Sequence, residues 1–395
     1  MAEAPFNVDL RRALLLELFR AAVAAVDGRR RVRAALTGAT LAPPVSAFAA
    51  GKAAASMMQG ARDALGPALV RGLVVAPDGA VPEALREDSR VRCLEAGHPR
   101  PDARSLAAGE ALLEFAAATP AGGTVLLLVS GGASALIEVP APGVGLPELV
   151  ALFDRSLAER LDIERLNRER IALSRIKGGG LPGLFAGAHI EALVISDVPR
   201  DDTRVLASGL VAAPGIVPRL VGSLDDAIEA ALRAAVARGL SAARGRGRLE
   251  GDAESVARRI CHELAIGEAD VVVHGGETVV RLPERAGRGG RCQHLAVAAA
   301  QAIEGHDDYM VLAAGTDGRD GASDDAGAIV DGATCERARD GGFDPAAALA
   351  AADTGRLLES TGDLIYTGPT GTNVGDLVIA LRLPPDAEVQ GRMPG

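Results

Sequence analysis

Lys52 follows Gly51 in AAGKAAASMM, directly after an apolar run. A lysine at a strand-to-helix turn is a good ligand for phosphate or carboxylate. The phosphate-loop spacing GxxxxGK[ST] fails, because no glycine lies five residues before Gly51, and this argues against a Walker NTPase. SGGASAL places Ser130, Gly131, Gly132 and Ser134 where a helix would open. Backbone N–H groups at a helix N-terminus hold carboxylate or phosphate, although a tight turn uses the same glycines for geometry. LSRIKGGGLPG sets Arg175 and Lys177 before three glycines, which suits an anion grip or a solvated basic loop. GRGGRCQ offers Arg288 and Arg291 for a bidentate phosphate clamp, against the same plain alternative. In SDVPRDD, Asp197 stands just past a strand end as a base or magnesium ligand, with Asp201 and Asp202 capping the next turn.

AAGTDGRDGASDDAGAIVDG gathers Asp317, Asp320, Asp324, Asp325 and Asp331 with one basic residue, Arg319. The alternating acids and closing Glu of an EF-hand are absent. Asp317, nearest the strand end, is the first candidate for magnesium or substrate and Asp320 the second; the other three read as caps and turns. TGPTGTNVGDL carries Thr370, Thr372, Asn373 and Asp376, able to orient a polar substrate or simply to turn the chain. The histidines lack metal spacing: His98 belongs to a loop near the candidate cleft, and His262, His294 and His306 read as structural. Neither a GxSxG elbow nor a GxGxxG after a strand is present, which argues against a serine hydrolase and a nicotinamide enzyme.

The elements that must position these residues follow from hydrophobic spacing. Residues 9–27 read as an amphipathic helix, with Leu10, Leu14, Phe19 and Val23 near helical spacing. Apolar runs then recur ahead of glycine or serine loops, in PVSAFAAGK, TVLLLVSGG, ALVISDV, DVVVHGGET and YMVLAAGTDG. Continuous apolar strands with such loops mark parallel sheet buried on both faces, and so an α/β architecture. Ligands of such sheets bind at the carboxyl ends of strands. A boundary is expected near 212–222, in AAPGIVPRLVGS; a helix is expected at 225–238, a loop at 245–251 and a mobile tail in PPDAEVQGRMPG.

The chain is 395 residues long, enough for two cores. Apolar residues make up 48 % and aromatics 2 %, so packing rests on Ala, Val, Leu and close backbone approach. The net charge of −10 argues against a nucleic-acid partner. Cys93, Cys261, Cys292 and Cys335 are far apart without a CxxC pair, which fits a reducing cytoplasm and neither zinc nor a disulfide scaffold. The N-terminal segment, broken by Glu17 and Arg20, is unlike a secretory signal, and no apolar run has the length of a membrane span.

Taken together and in this order, GKAAASM, GHPRPD, LLLVSGGASALIEVP, LSRIKGGGLPG, VISDVPRDD, VVVHGGETVV, GRGGRCQ, the five-aspartate loop and TGPTGTNVGDL resemble the MOFRL-type glycerate 2-kinase family, often labelled hydroxypyruvate reductase. The resemblance implies a larger Rossmann-like N-terminal domain with a parallel sheet (1–216), a smaller C-terminal α/β domain (217–395), and an ATP-dependent site in the cleft between them. It implies transfer from MgATP to D-glycerate, giving 2-phosphoglycerate. Lys52, Asp197, Arg291 and Asp317 are the expected catalytic residues, with Asp197 and Asp317 also at magnesium. Ser130, Gly131, Gly132, Ser134, Arg175 and Lys177 are expected at the substrate, and Gly275, Gly276, Glu277, Thr370 and Asn373 at the nucleotide. ATP and Mg2+ are thus the expected cofactors; a homodimer is left open, and neither nucleic acid nor membrane is expected as a partner. The chain departs from the family pattern at Cys292, His294 and Ala133, at Leu224, and in a shortened segment ASGLVAAPG, all expected near the cleft. The competing functions are an NAD(P)H-dependent hydroxypyruvate reductase and a sugar-acid-binding homologue without transfer activity.

Overall fold

The computed structural model describes residues 4–159 and 163–383; the tail from Pro384 lies outside them. Contacts divide the chain into two compact units, each built on a six-stranded sheet. One holds Val26–Ser223 and the returning segment Gly371–Val374. The other holds the helix Ala4–Ala25, Leu224–Thr370 and the strand Asp376–Arg382. These limits depart from 1–216 and 217–395 for physical reasons. The helix Ala4–Ala25 buries Leu14, Leu15, Leu18, Phe19 and Ala22. It packs on the helix Leu224–Ala237, and Arg238 beyond that helix forks onto Glu17 at 2.8 and 2.6 Å. Arg219–Gly222, inside the expected boundary loop, is instead a strand of the first sheet.

The first sheet comprises β1 (Val45–Ala50), β2 (Leu69–Pro77), β3 (Val91–Ala96), β4 (Thr124–Ser130), β5 (His189–Ile195) and β6 (Arg219–Gly222). Their order is β3-β2-β1-β4-β5-β6 and every pair is parallel. All residues of β1 and β4 are buried, as a sheet covered on both faces requires. This is the doubly wound order, and it reverses between β1 and β4, where such sheets form a crevice at the carboxyl ends of their strands. Gly51 and Gly131 stand at that point. Gly51 has φ of +123°, and a Cβ there would lie 2.3 Å from Ser130 Oγ and 2.5 Å from its carbonyl oxygen.

The second sheet comprises β7 (Ala242–Arg244), β8 (Val271–Gly276), β9 (Tyr309–Gly315), β10 (Gly327–Asp331), β11 (Leu364–Ile365) and β12 (Asp376–Arg382), in the order β11-β10-β9-β12-β8-β7. Only β7 and β8 are parallel among these pairs. The apolar runs that lead to an expectation of parallel sheet therefore report burial on both faces, not strand direction. Because β12 runs against both β8 and β9, Asp376 at its start lies opposite Gly276 and Gly315, the ends of those strands. One edge of the sheet thus collects three glycine loops.

The helix Arg291–Ala302 starts at this edge and has no capping side chain of its own, since its N-cap is Gly290. Asp320 supplies the cap from the five-aspartate loop. Its carboxylate accepts the N–H groups of Cys292 at 3.0 Å and Gln293 at 2.7 Å. A Cβ on Gly290 would sit 2.3 Å from Asp320 Cγ, so glycine admits the carboxylate. Burial pushes the Asp320 carboxyl up to about 7, against the pull of the two N–H groups. Truncation by Asp320→Ala leaves both buried donors unmet, with an expected loss of about 1–3 kcal/mol in urea unfolding. The folded pKa exceeds the unfolded value of 3.8, so this carboxyl's contribution is fully present below that value and lost as pH rises through about 7. The stability advantage of wild type over Asp320→Asn should accordingly shrink as urea melts move from about pH 4 to about pH 8; a constant gap would refute this assignment.

Candidate functional site

In the parallel unit the candidate residues cluster at the β1–β4 reversal. The Lys52 N–H donates to the Gly131 carbonyl at 2.9 Å, and the Ala53 N–H donates to Ser130 Oγ at 3.0 Å. The glycine loop after β4 therefore holds the start of the helix Ala54–Leu65 and, with it, Lys52. Gly132 is left-handed, with φ of +85°, and a Cβ there would lie 3.0 Å from His98 Nε2 and 3.2 Å from Lys52 Cγ. The stem of Lys52 and the ring of His98 thus border the same glycine. A Cβ on Gly131 would fall 1.7 Å from Asp197 Oδ2, which places the Asp197 carboxylate directly against this loop. Asn373 Nδ2 donates to the same oxygen at 3.0 Å. Asn373 is held in turn because Thr372 Oγ1 donates to the Val26 carbonyl at 2.6 Å and Gly371 accepts from Ser56 Oγ. Lys52, Ser130, Gly131, Gly132, Asp197 and Asn373 are therefore brought together.

The other expected substrate residues behave differently. Ser208 Oγ donates to Asn167 Oδ1 at 2.9 Å, so the Ser134 hydroxyl, 2.8 Å from Ser208 Oγ, is the donor of that pair. The one-turn helix Ala133–Leu136 is anchored by this chain of hydroxyls. Arg175 is exposed, with its backbone N–H on the Val139 carbonyl at 2.8 Å. Lys177 is buried and paired with Glu138, which also accepts from Ser174 Oγ at 2.5 Å. Burial pushes the Lys177 ammonium below the ordinary lysine range, and Glu138 works against that shift.

In the mixed unit the pivot is Arg291. Its Nε and Nη2 donate to the two oxygens of Asp376 at 2.5 and 3.0 Å, and Nη2 also reaches Glu277 Oε1 at 2.9 Å. Burial works against the arginine charge, but Asp376 and Glu277 outweigh it and raise its pKa. Asp317 begins the loop after β9, half-buried, and accepts the Arg319 N–H at 3.1 Å. The Thr370 N–H donates to the Asp317 carbonyl at 3.3 Å, while Thr370 Oγ1 donates to the Thr316 carbonyl at 2.5 Å. Thr370 and Asn373, grouped in the sequence reading, belong to different units.

Gly275 and Gly276 answer to packing. A Cβ on Gly276 would lie 2.6 Å from the Leu249 carbonyl oxygen, and one on Gly275 would lie 2.7 Å from Leu224 Cδ1. The same contact gives Leu224, a departure from the family pattern, a packing role. Cys292 and His294, expected in a loop near the cleft, are buried within the helix Arg291–Ala302; burial pushes the Cys292 thiol well above its ordinary range. Arg288 is paired with Asp325 at 3.1 Å and Glu359 at 2.7 Å. Asp331 accepts the Ala333 N–H at 2.9 Å and pairs with Arg337, whereas exposed Asp324 faces Arg319 at 3.4 Å. Asp320, the second candidate for magnesium, spends both oxygens on its helix cap.

Among the described residues no group of three or more His, Cys, Asp or Glu side chains is placed to hold a metal. Magnesium that accompanies a nucleotide needs one or two carboxylates and takes its other ligands from phosphate and water. Asp197 and Asp317, half-buried oxygen donors at strand ends, fit that chemistry, each within its own unit.

Sequence reasoning singled out Asp376 only as a polar substrate contact and passed over Glu138 and Arg170. One available signal went unread. The chain has 42 Lys and Arg residues, of which the two lysines are Lys52 and Lys177. In so arginine-biased a sequence, a lysine marks a place where a compact ammonium is required.

A doubly wound unit with a lysine at its reversal, joined along the chain to a mixed-sheet unit edged by paired charges, defines a distinct layout of α/β protein. Residues 14–240 match the family described as domain of unknown function DUF4147, and residues 270–376 match the MOFRL family. The chain belongs to the MOFRL-type glycerate 2-kinase family. It is 33% identical to D-glycerate 2-kinase of Thermotoga maritima over 95% of this chain and 99% of that one. A relative from Agrobacterium vitis, under the provisional name hydroxypyruvate reductase, is 34% identical over 93% of each chain. A crystal structure of glycerate kinase from Thermotoga maritima matches with a TM-score of 0.83 and 32% identity, covering 95% of this chain and 100% of that one.

Arg291→Lys tests the charge pivot, because it keeps the charge and removes the fork. Asp376, with 6% of its side chain exposed, would lose its paired donors. The expected cost is about 1–3 kcal/mol in chemical denaturation, and an unchanged midpoint would show that Asp376 does not depend on them.

Proposed function

We propose that this protein is a D-glycerate 2-kinase, transferring the terminal phosphoryl of ATP to the C2 hydroxyl of D-glycerate. The observation that carries the reading is Lys52 fixed at the sheet reversal, with the Asp197–Asn373 pair against the same glycine loop. Membership of the family supports it further. Phosphoryl transfer asks for positioning and charge neutralisation rather than covalent participation.

In this mechanism the Lys52 ammonium balances charge on the phosphoryl oxygens as the bond to the leaving ADP breaks. Arg291 serves the same end. Its Nε and Nη2 are fixed by Asp376 and Glu277, and Nη1 carries no hydrogen bond among the described residues. Asp197 and Asp317 share the tasks of orienting the acceptor hydroxyl, whose proton passes to the orienting carboxylate as the new P–O bond forms, and of holding magnesium. When bound, magnesium supplies charge neutralisation on the nucleotide phosphates. Ser130, Gly131 and Gly132 shape the loop that receives the acceptor, and Glu277, Thr370 and Asn373 stand in the loops assigned to the nucleotide. The reading carries with it a cytoplasmic setting, in keeping with four unpaired cysteines, and small-molecule partners rather than nucleic acid. No helix among the described residues is long and apolar enough to cross a membrane. A homodimer is the assembly to look for by light scattering.

The test couples product to enolase, with D-glycerate and MgATP supplied. Enolase accepts 2-phosphoglycerate and not the 3-isomer, so a signal identifies both chemistry and position. Lys52→Ala should lower kcat by about 100-fold or more at unchanged melting temperature. Oxidation of NADH by hydroxypyruvate without ATP, or ligand-induced stabilisation without ADP release, would overturn the kinase in favour of a reductase or a binding protein.

A further inference from the structure

A pocket in the parallel unit adjoins the SGGAS loop, lined by Pro99, Pro101, Ser134, Glu138, Arg170 and Lys177 together with apolar side chains. Arg170 comes from the helix Ile163–Ala172 and is half-buried at the pocket wall. Glu138, the acid that faces it, is already engaged by Lys177 and by Ser174 Oγ. The guanidinium of Arg170 has no hydrogen-bond or ion-pair partner among the described residues; burial depresses its pKa, with Glu138 opposing from nearby. A planar fork of N–H donors therefore faces a small pocket with its nearest carboxylate used elsewhere. Ser134 adds an acceptor here, since its proton is directed to Ser208.

We propose that Arg170 is the specificity-determining residue of a carboxylate subsite, gripping the acid group of the acceptor in a bidentate pair within this pocket. The inference rests on the kinase reading and deepens it, because the residues expected for this task do not offer a free fork there: Lys177 is committed to Glu138, and Arg175 is exposed. Arg170 belongs to no motif that the sequence reading selected. The pocket borders the SGGAS loop at Ser134, and the proposal requires the acceptor's hydroxyl to lie on the side of that loop where the Lys52 N–H meets the Gly131 carbonyl. The Lys177–Glu138 pair has a positioning role in the same pocket, because it occupies the carboxylate that would otherwise compete for the Arg170 fork.

The test measures D-glycerate and its neutral amide, glyceramide, as acceptors for wild type, Arg170→Lys and Arg170→Gln, with melting temperature of the free enzyme as the folding control. For Arg170→Gln the KM for D-glycerate should rise about tenfold or more, with kcat and the KM for ATP little changed. The preference for glycerate over glyceramide should collapse by a similar factor, and Arg170→Lys, which keeps charge without the fork, should fall between. An Arg170→Gln enzyme that melts normally and retains the wild-type KM and preference overturns the proposal. A rise in both KM values with a lowered melting temperature does so too, because it reports a structural role. If wild type turns over no glycerate, the kinase reading fails by itself. The subsite is then read from thermal shifts: stabilisation by D-glycerate that Arg170→Gln abolishes supports it, whereas equal stabilisation of both proteins, or stabilisation by inorganic phosphate alone, rejects it.

Discussion

The close approach of β1 and β4 at their carboxyl ends is the constraint on which the parallel unit depends. Two side chains cannot share the space where Gly51 meets Ser130 and where Gly131 meets Asp197. Absence of Cβ atoms at both places lets the backbone of one loop accept the N–H of Lys52 while the neighbouring hydroxyl accepts that of Ala53. The order of the strands reverses at this contact, where doubly wound sheets open a crevice, and the loop that leaves β3 brings His98 to Gly132. Asn373 reaches the same point from the far end of the chain, through the segment Gly371–Val374 that returns to this unit. A constraint of packing thereby becomes a constraint on which charges stand together.

The mixed unit solves a related problem with charge. Its glycine loops end at an edge where Asp376, Glu277 and Arg291 meet, and an isolated carboxylate as enclosed as Asp376 would be costly without a donor fork. Asp320 performs a second closure by capping the helix that presents Arg291. Orientation of Arg291 is therefore set from both ends, by the helix start below it and by the carboxylates above it. The helix Ala4–Ala25 binds into the same unit through Arg11, whose guanidinium donates to the carbonyls of Asp307 and Leu383.

Much of this was legible in the sequence because burial is written in local pattern. The runs before Gly51, Gly131, Asp197, Gly275 and Gly315 are strands, and each loop named from them lies at a strand end. Direction was not legible, since an apolar run covered on both faces looks the same in parallel and antiparallel sheets; β12 is the strand that turns the second sheet into a mixed one. Partners distant in sequence were also hidden. Asp320 looked like a surface aspartate among several, and its burial depends on a helix start that a glycine pair leaves open to it. Gly275 and Gly276 resembled a phosphate loop, yet the neighbours that demand glycine there are Leu224 and Leu249. Arg170 lay in a charged helix, indistinguishable from its exposed neighbours Arg165 and Arg168 until the pocket identified it.

The two lysines show how one residue type is put to separate uses in a chain that otherwise relies on arginine. An ammonium is a compact charge on a flexible stem, whereas a guanidinium is a rigid fork. At Lys52 the stem passes beside Gly132 and the backbone N–H is pinned to the Gly131 carbonyl, so a compact charge is carried on a narrow stem past the glycine loop. At Lys177 the ammonium is sealed against Glu138, where a fork of arginine size would need more room and more acceptors. Arg291 and Arg170 occupy the complementary niches: the first is fixed by two carboxylates and the second is left without one. In a protein of net charge −10, attraction for anionic ligands cannot come from the overall field. It must come from these few placed cations, and their mobility or rigidity then decides which anion each can hold.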